Sequence, residues 1–477
     1  MTFFLSDKEE RLLRNLLSRA ERNPNIIHRV FSDHVYFPVE DFSILRKQPM
    51  LDESSQIQNV AKNFYGARNY DKQLMTILSF FPFAIPFSKR ITIFYNLLEN
   101  DQAPNPSMFR NDTRRMRYRI RRDRVFEDAY SQMSHADWKH DFDIEIMNDG
   151  RVEPGFGQGV TRWFTEALLQ AAFDPKVGLM LQNENGELYP NPFVSQIYPD
   201  SFEAYYKFLG KILGYMVYTK SINYLPLCSF FLSKILRGSI ELDLSELQGL
   251  DKELYKNLMY LKSNPEEIES MGLDFTANLS ALGNAETVEL KPNGSNVPVD
   301  KSNYTEFIIK VADFHLNKAV ARQCNAFRAG FYSIIDQAWV KLFDQREFDI
   351  LIQGVKQDID IEDLKKNTVY YKMRDDDDRC FTADHPTIVA FWQVLNDFNT
   401  EERVKFLKFT TSSPRAPLRG FAELNPRFTL INTNEDTSRL PSASTCVNLL
   451  KMPPYPNRQL LEEKLRLAIE AVTFEFS

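Results

Sequence analysis

The chain has 477 residues, a length for two or three domains, and its 43% apolar and 26% charged content is that of a water-soluble globular protein. A net charge of −7 argues against a protein devoted to nucleic acid. Four cysteines, Cys228, Cys324, Cys380 and Cys446, lie far apart with no Cys-x-x-Cys pair. This disfavours a disulfide framework or a zinc site and suits a reducing compartment, cytoplasmic or nuclear.

Residues 6 to 22 read as an amphipathic helix, capped by Ser6 with Glu9 three residues on, and with Leu12, Leu13, Leu16 and Leu17 on one stripe. The start lacks the basic residues and long apolar core of a signal peptide. No run approaches the ~18 apolar residues of a membrane span; the most apolar stretch, Phe80 to Phe87, is broken by Pro82 and Pro86. Residues 23 to 72 carry few periodic signals and read as an irregular lead-in with short helices. Asp71 to Leu98 reads as two short helices.

From Arg114 to Arg124 the chain is densely basic, and Met116, Tyr118 and Ile120 alternate with Arg117, Arg119 and Arg121. That alternation predicts a strand with one apolar and one basic face, leading into a helix at Val125 to Met133. Such a strand is either an anion-binding arm or a solvated edge; the edge is the simpler reading, because no aromatic stacking platform accompanies the arginines. Gly155-Phe-Gly-Gln-Gly159 lacks the Lys-Ser or Lys-Thr of a phosphate loop and leads into a helix expected from Thr161 to about Phe173. Gly210 and Gly214 lie on one face of a strong helix and permit close approach of another element. Cys228 falls in an apolar run, 225 to 232, and reads as core. Leu254 to Leu261 is helical. Val288 to Leu290 and Val297 to Val299 read as two short strands around a turn, and helices resume from Ser302 to about Phe343.

Asn367 to Arg379 carries four aspartates, Asp375 to Asp378, which repel one another and favour solvent. They lack the spacing of a calcium loop, so a solvated linker is expected rather than a metal site. Phe406 to Thr410 is a strand candidate. The last helix is expected from about Asn457, a plausible cap, with Leu461, Leu465, Ala468 and Ile469 inward.

The most informative stretch is Arg439 to Tyr455, where Cys446 follows polar residues and precedes the apolar run Val447 to Leu450. Pro441, Pro453 and Pro454 bracket it and limit regular structure, which places the cysteine on an ordered loop entering a short strand. The string Leu440-Pro-x-Ala-x-Thr-Cys446-x-Asn448, followed by Leu-x-x-Pro-x-Tyr455, resembles the active-site signature of HECT-type ubiquitin ligases. The short distance from Cys446 to the C-terminus and Phe474, fourth from the end, fit the same family. The pattern is most similar to the proteasome-associated, chain-extending branch of that group, whose members carry a long further region upstream.

The resemblance implies an α+β, bilobal fold: a large, mainly helical N-terminal lobe and a small α/β C-terminal lobe joined by a flexible hinge. It divides the chain into a lead-in, 1–69; an N-terminal lobe, 70–366, with a conjugating-enzyme-binding subdomain at about 245–285; a hinge, 367–380; and a C-terminal lobe, 381–477. It implies that Cys446 accepts ubiquitin as a thioester from a conjugating enzyme and passes it to lysines of protein substrates or of ubiquitin, without a cofactor or metal. The proteasome is a further partner on this reading. Leu254, Leu258, Leu261 and Phe275 become candidates for contact with the conjugating enzyme, with ordinary core as the alternative for the last three. Phe474 would anchor the tail during transfer. Thr445 and the backbone around Asn448 are candidates to stabilise the oxyanion. Most relatives have His two residues before the cysteine; here it is Ser444, which is no base near neutral pH. Asp436, Glu475 or the terminal carboxylate are then the candidate bases. The chain also departs at the glycine loop, interrupted by Gln158, and at Arg162-Trp163, where the family has Arg-Glu. Two alternatives stay open: a cysteine hydrolase pairing Cys446 with His385, and a catalytically inactive binding module.

Overall fold

The computed structural model describes residues 87–102, 116–140, 142–153, 158–221, 224–238, 244–281, 283–354, 358–371, 380–417, 420–433 and 436–471. The helix expected at 6 to 22, the lead-in, the first helix expected after Asp71, the aspartate run and the tail with Phe474 and Glu475 lie outside the described residues. So does the side chain of Cys446, although its backbone is described.

The chain divides into two compact units. The first, residues 1–114 and 332–347, contains helix α1 (Phe87–Gln102), where Ile91, Phe94, Leu97 and Leu98 are buried. Phe94 and Phe87 meet the edge of Phe343 at 5.3 and 6.0 Å. Arg90, also buried, pairs with Glu347 and donates to the Leu342 carbonyl at 2.5 Å.

The second unit, residues 115–331 and 348–477, begins with the basic strand. Strand β1 (Met116–Arg121) runs into helix α2 (Val125–Met133), as the alternation predicts. It is the edge of a sheet ordered β1-β2-β3, parallel to β2 (Phe142–Asn148), which pairs antiparallel with β3 (Arg151–Val152). Tyr118 and Ile120 face the core, and carboxylates meet the arginines: Arg117 and Arg119 pair with Glu145, Arg121 with Asp128 at 2.6 Å, and Arg122 with Glu153 at 2.6 Å. The Arg121 guanidinium holds the Asp128 carboxyl below its usual range. The arginines of β1 are thus met by carboxylates of their own unit, which favours the solvated edge over the anion-binding arm.

Helix α3 (Gln158–Phe173) begins three residues before the expected Thr161 cap. Strands β4 (Met180–Gln182) and β5 (Leu188–Pro190) form a small hairpin ahead of helix α4 (Phe202–Tyr218). Helices α5 (Ser229–Arg237), α6 (Ser245–Leu250) and α7 (Lys252–Ser263) follow, then the antiparallel pair β6 (Thr276–Ala281) and β7 (Asn284–Glu289). The turn expected between 288–290 and 297–299 is therefore corrected. The partner of β7 is β6, and Val297–Val299 leaves only a bridge from Pro298 to Asp274. Helix α8 (Tyr304–Asp313) precedes α9 (Ala321–Phe331). α4 and α9 touch through glycines: a Cβ on Gly210 would lie 1.9 Å from the Phe327 carbonyl oxygen, and one on Gly330 1.8 Å from that of Lys207. Only hydrogen fits at either position.

The C-terminal part of this unit has its own core, which includes Phe391, Trp392, Phe406, Phe428, Leu450, Met452 and Leu461. It also takes Ile359, Ile361 and Leu364, the last two from helix α10 (Ile361–Lys366). Strand β8 (Val369–Tyr370), inside the stretch read as linker, edges a four-stranded sheet ordered β10-β11-β9-β8. Helix α11 (Pro386–Asp397) and helix α12 (Thr400–Thr411) precede β9 (Thr429–Asn432), β10 (Ser442–Ser444) and β11 (Leu449–Met452), and helix α13 (Arg458–Ala471) closes the described chain.

Phe406 to Thr410, expected as a strand, is helical. A full capping box between Asn399 and Glu402 starts α12, and the Thr410 and Thr411 hydroxyls bond back to the Phe406 and Leu407 carbonyls at 3.0 and 2.7 Å. α13 follows its reading: the Leu460 amide donates to Asn457 at 2.9 Å, and Leu461, Leu465, Ala468 and Ile469 are buried. Mostly helical with small sheets, the protein is α+β.

Candidate active site

Cys446 sits in a single tight turn, Thr445–Val447, between β10 and β11, an ordered loop entering a short strand as its prolines imply. Asn448 ends the turn in left-handed backbone, φ 49°, a conformation that asparagine tolerates better than most residues. It is fully buried. Its backbone amide donates to the Thr445 carbonyl at 3.1 Å, and its carbonyl accepts from the Thr429 amide of β9 at 2.9 Å. Its side-chain amide donates to the Pro426 carbonyl at 2.7 Å. The backbone amide of Asn448 and one N–H of its side chain are thus engaged in bracing the loop, and Thr445 beside them is half-buried.

The remaining acceptor of Asn448, Oδ1, takes a hydrogen bond from Arg162 on α3 at 3.1 Å, and the same guanidinium donates to the Asn425 carbonyl. The sequence marks Arg162-Trp163 only as a departure from a pattern. A pairing across 286 residues leaves no local signal. Trp163 lies under the Arg122 guanidinium, 4.4 Å from its ring centre.

Asp436 is exposed, and both its oxygens accept from Ser438, at 2.9 and 2.7 Å. Those bonds hold its carboxyl below the usual range, which makes it a weaker proton acceptor. Ser444 ends β10, half-buried. His385 caps α11, its Nδ1 accepting from the Thr387 amide at 3.2 Å, with its ring against Phe381. That is a structural role in the helix start, and it weakens the hydrolase alternative.

Two of the other thiols behave as core. Cys228 and Cys324 are buried, and burial pushes each thiol up to about 12. Such groups hold almost no thiolate near neutral pH. Cys380 is half-buried.

In the stretch read as a docking subdomain, Leu258, Leu261 and Phe275 are buried and Leu254 is half-buried. Phe275 packs edge-on against Phe307 at 5.6 Å, under the Lys291 ammonium at 3.4 Å. The apolar groups exposed there are Tyr260 on α7 and Met271 after it, neither of which the periodicity singled out. Among the described residues no three or more His, Cys, Asp or Glu groups gather as a metal site, and no helix is long and apolar enough to cross a membrane.

Residues 166–477 match the HECT-domain (ubiquitin-transferase) family. The chain is 36% identical over 83% of its length to E3 ubiquitin-protein ligase HUL5 of Saccharomyces cerevisiae, and 36% over 82% to E3 ubiquitin-protein ligase UPL6 of Arabidopsis thaliana. It is 34% identical over 85% to ubiquitin-protein ligase E3B of Homo sapiens. The matches cover 44%, 38% and 41% of those proteins, so the chain spans less than half the length of each. The signature around Cys446, the helical body with its small α/β C-terminal part and the match over 166–477 together show that this chain belongs to the HECT-domain family.

Proposed function

We propose that the protein is a ubiquitin-protein ligase that works through a thioester on Cys446. The observation that carries this reading is the braced turn Thr445–Val447 at the head of β11, bearing the one cysteine within the signature and lying inside the matched family region. The Cys446 thiolate attacks the thioester joining ubiquitin's C-terminal carboxyl to the conjugating enzyme's cysteine. The tetrahedral adduct collapses, the conjugating enzyme leaves as its thiol, and ubiquitin remains on Cys446. A lysine amine then attacks this second thioester, the amine proton goes to solvent or a base, and an isopeptide bond replaces the thioester. No cofactor enters either step. Splitting the transfer in two lets one site serve any lysine that can reach it.

Thr445 and the backbone around Asn448 are the candidate oxyanion donors. The proton acceptor for the lysine step is open among Asp436, Glu475 and the terminal carboxylate; the depressed carboxyl of Asp436 argues against it. The conjugating enzyme docks on the 245–285 subdomain, where Leu258, Leu261 and Phe275 shape the fold from within and Leu254 is at its half-buried surface. Partners are the charged conjugating enzyme, ubiquitin and protein substrates, and the proteasome is the further partner that the resemblance implies. Phe474 acts as the tail anchor, and the hinge expected at about 367 to 380 is kept to the part of that stretch outside β8, which is bonded into the C-terminal sheet. The working compartment is cytoplasmic or nuclear.

Incubation with charged conjugating enzyme, with and without lysine, tests the reading. A ligase yields a reductant-sensitive ubiquitin adduct that disappears into isopeptide products on adding lysine. Release of ubiquitin from an isopeptide-linked substrate points to a hydrolase, and neither result to an inactive module.

A further inference from the structure

We propose that Arg162 is a positioning residue for the reaction at Cys446, a clamp from the helical body that fixes the turn carrying the cysteine through Asn448 and Asn425. The inference rests on the ligase reading and goes beyond it, since Arg162 lies just outside the family match, which begins at residue 166.

The geometry is specific. One planar guanidinium reaches two acceptors, the Asn425 carbonyl and Asn448 Oδ1. A rigid fork serves two ordered acceptors with little further loss of freedom, whereas a lysine is a single flexible point charge. The Asn448 amide is oriented from its other end, where Nδ2 donates to the Pro426 carbonyl. The opposite flip would set its NH2 against the arginine's own donors, so the network selects this one. Asn425, Pro426 and Asn448 are thereby tied into one knot. Asn448 closes the Thr445–Val447 turn through its backbone amide and joins β9 through its carbonyl. Displacing the Asn448 side chain therefore displaces the turn.

The clamp's own place is set by the body of the unit. Phe164 and Leu168 of α3 are buried, the Thr165 hydroxyl donates to the Arg162 carbonyl at 2.9 Å, and Trp163 packs under Arg122. One turn on, Glu166 hydrogen-bonds Ser412 at the end of α12, a second tie between α3 and the part that bears the cysteine. The described backbone bonds of the turn and of Asn448, by contrast, come from the C-terminal part itself. Docking on α3 thus adds Arg162 to a loop already closed. It fixes where the thioester is presented rather than whether the loop forms.

The test uses the full chain in single-turnover assays, with a conjugating enzyme carrying thioester-linked ubiquitin as donor and free lysine as acceptor. Arg162→Ala, Arg162→Lys, Asn448→Ala and the Arg162→Ala/Asn448→Ala double variant are compared. Arg162→Ala is expected to lower the rate constant at saturating donor by roughly tenfold or more, with the apparent KM for the donor and the thermal midpoint unchanged. Arg162→Lys falls between the two. With Asn448→Ala already in place, Arg162→Ala costs clearly less than it does alone, because the bond the two share is already gone and only the one to the Asn425 carbonyl remains. Unchanged rate constants in Arg162→Ala, effects that multiply independently in the double variant, or a loss that tracks a lowered thermal midpoint in both Arg162 variants would overturn the clamp. Absence of any thioester on the unsubstituted protein would overturn the ligase reading and the clamp's role with it. A normal thioester with unaltered Arg162→Ala kinetics overturns the clamp alone.

Discussion

Replacing Asn448 by alanine removes the brace of the cysteine loop at its centre. The side chain is fully buried and makes two hydrogen bonds, one to a charged donor and one to a backbone carbonyl. Losing the partner of a charged donor costs about 1.5–3 kcal/mol, and stranding a buried carbonyl about 1 kcal/mol or more. Alanine at φ 49° adds about 1 kcal/mol of backbone strain. Some relief comes from the Asn425 carbonyl, which keeps part of the guanidinium satisfied. A local destabilisation of about 3 kcal/mol follows, which is over a hundredfold in a local opening equilibrium at ~1.4 kcal/mol per tenfold. Hydrogen exchange at the Thr429 amide reads this directly, because that group is bonded to the Asn448 carbonyl. Asn448→Gly separates the contributions: it loses the same hydrogen bonds but not the left-handed conformation, so its opening should be roughly fivefold rarer than that of Asn448→Ala. Exchange at Thr429 within about threefold of the unsubstituted protein in Asn448→Ala, or no difference between the two variants, would mean that Asn448 does not brace the loop in this way.

Gly330→Ala should destabilise the helical body by about 1–3 kcal/mol or more, since its Cβ would meet the Lys207 carbonyl oxygen at 1.8 Å and α4 and α9 would have to part; thermal denaturation checks it. In the native protein at neutral pH, Cys228 and Cys324 should resist small thiol reagents, both being buried with thiols near 12, and become reactive only on denaturation; mass spectrometry of labelled peptides checks it. Phe474→Ala should leave loading of Cys446 near normal and slow discharge to lysine by roughly tenfold, the equivalent of one lost aromatic contact, whereas equal losses in both single-turnover steps would make Phe474 a packing residue only.

What the sequence discloses depends on how local its cause is. The basic strand and the helix after it are legible because period-two alternation and the switch to helical spacing are local, and α13 because Asn457 and the stripe Leu461, Leu465, Ala468 and Ile469 lie within a few turns of each other. Phe406 to Thr410 misleads because aromatic and β-branched residues favour strands in general. Here the helix start at Asn399 and Glu402 and burial in the C-terminal core override that preference. The fate of the arginines on β1 could not be read from the strand, since their carboxylate partners stand on other elements. The cysteine loop is legible as a motif and as a turn before a strand. The partners of its Asn448 side chain are not: Arg162 and the Pro426 carbonyl come to it only through the fold. Likewise helical spacing marks Leu258 and Leu261 as apolar without telling a groove from a core, and both are buried.

The proposed chemistry turns on Cys446 as the carrier of ubiquitin. The most direct measurement is to stop a single-turnover reaction with charged conjugating enzyme before lysine is added, digest without reductant, and map the adduct by mass spectrometry in the unsubstituted protein and in Cys446→Ala. A ubiquitin remnant is expected on the Cys446 peptide alone, lost on treatment with a thiol, with neither adduct nor lysine product in Cys446→Ala. Ubiquitin on another cysteine, or lysine products formed by Cys446→Ala at the unsubstituted rate, would contradict it.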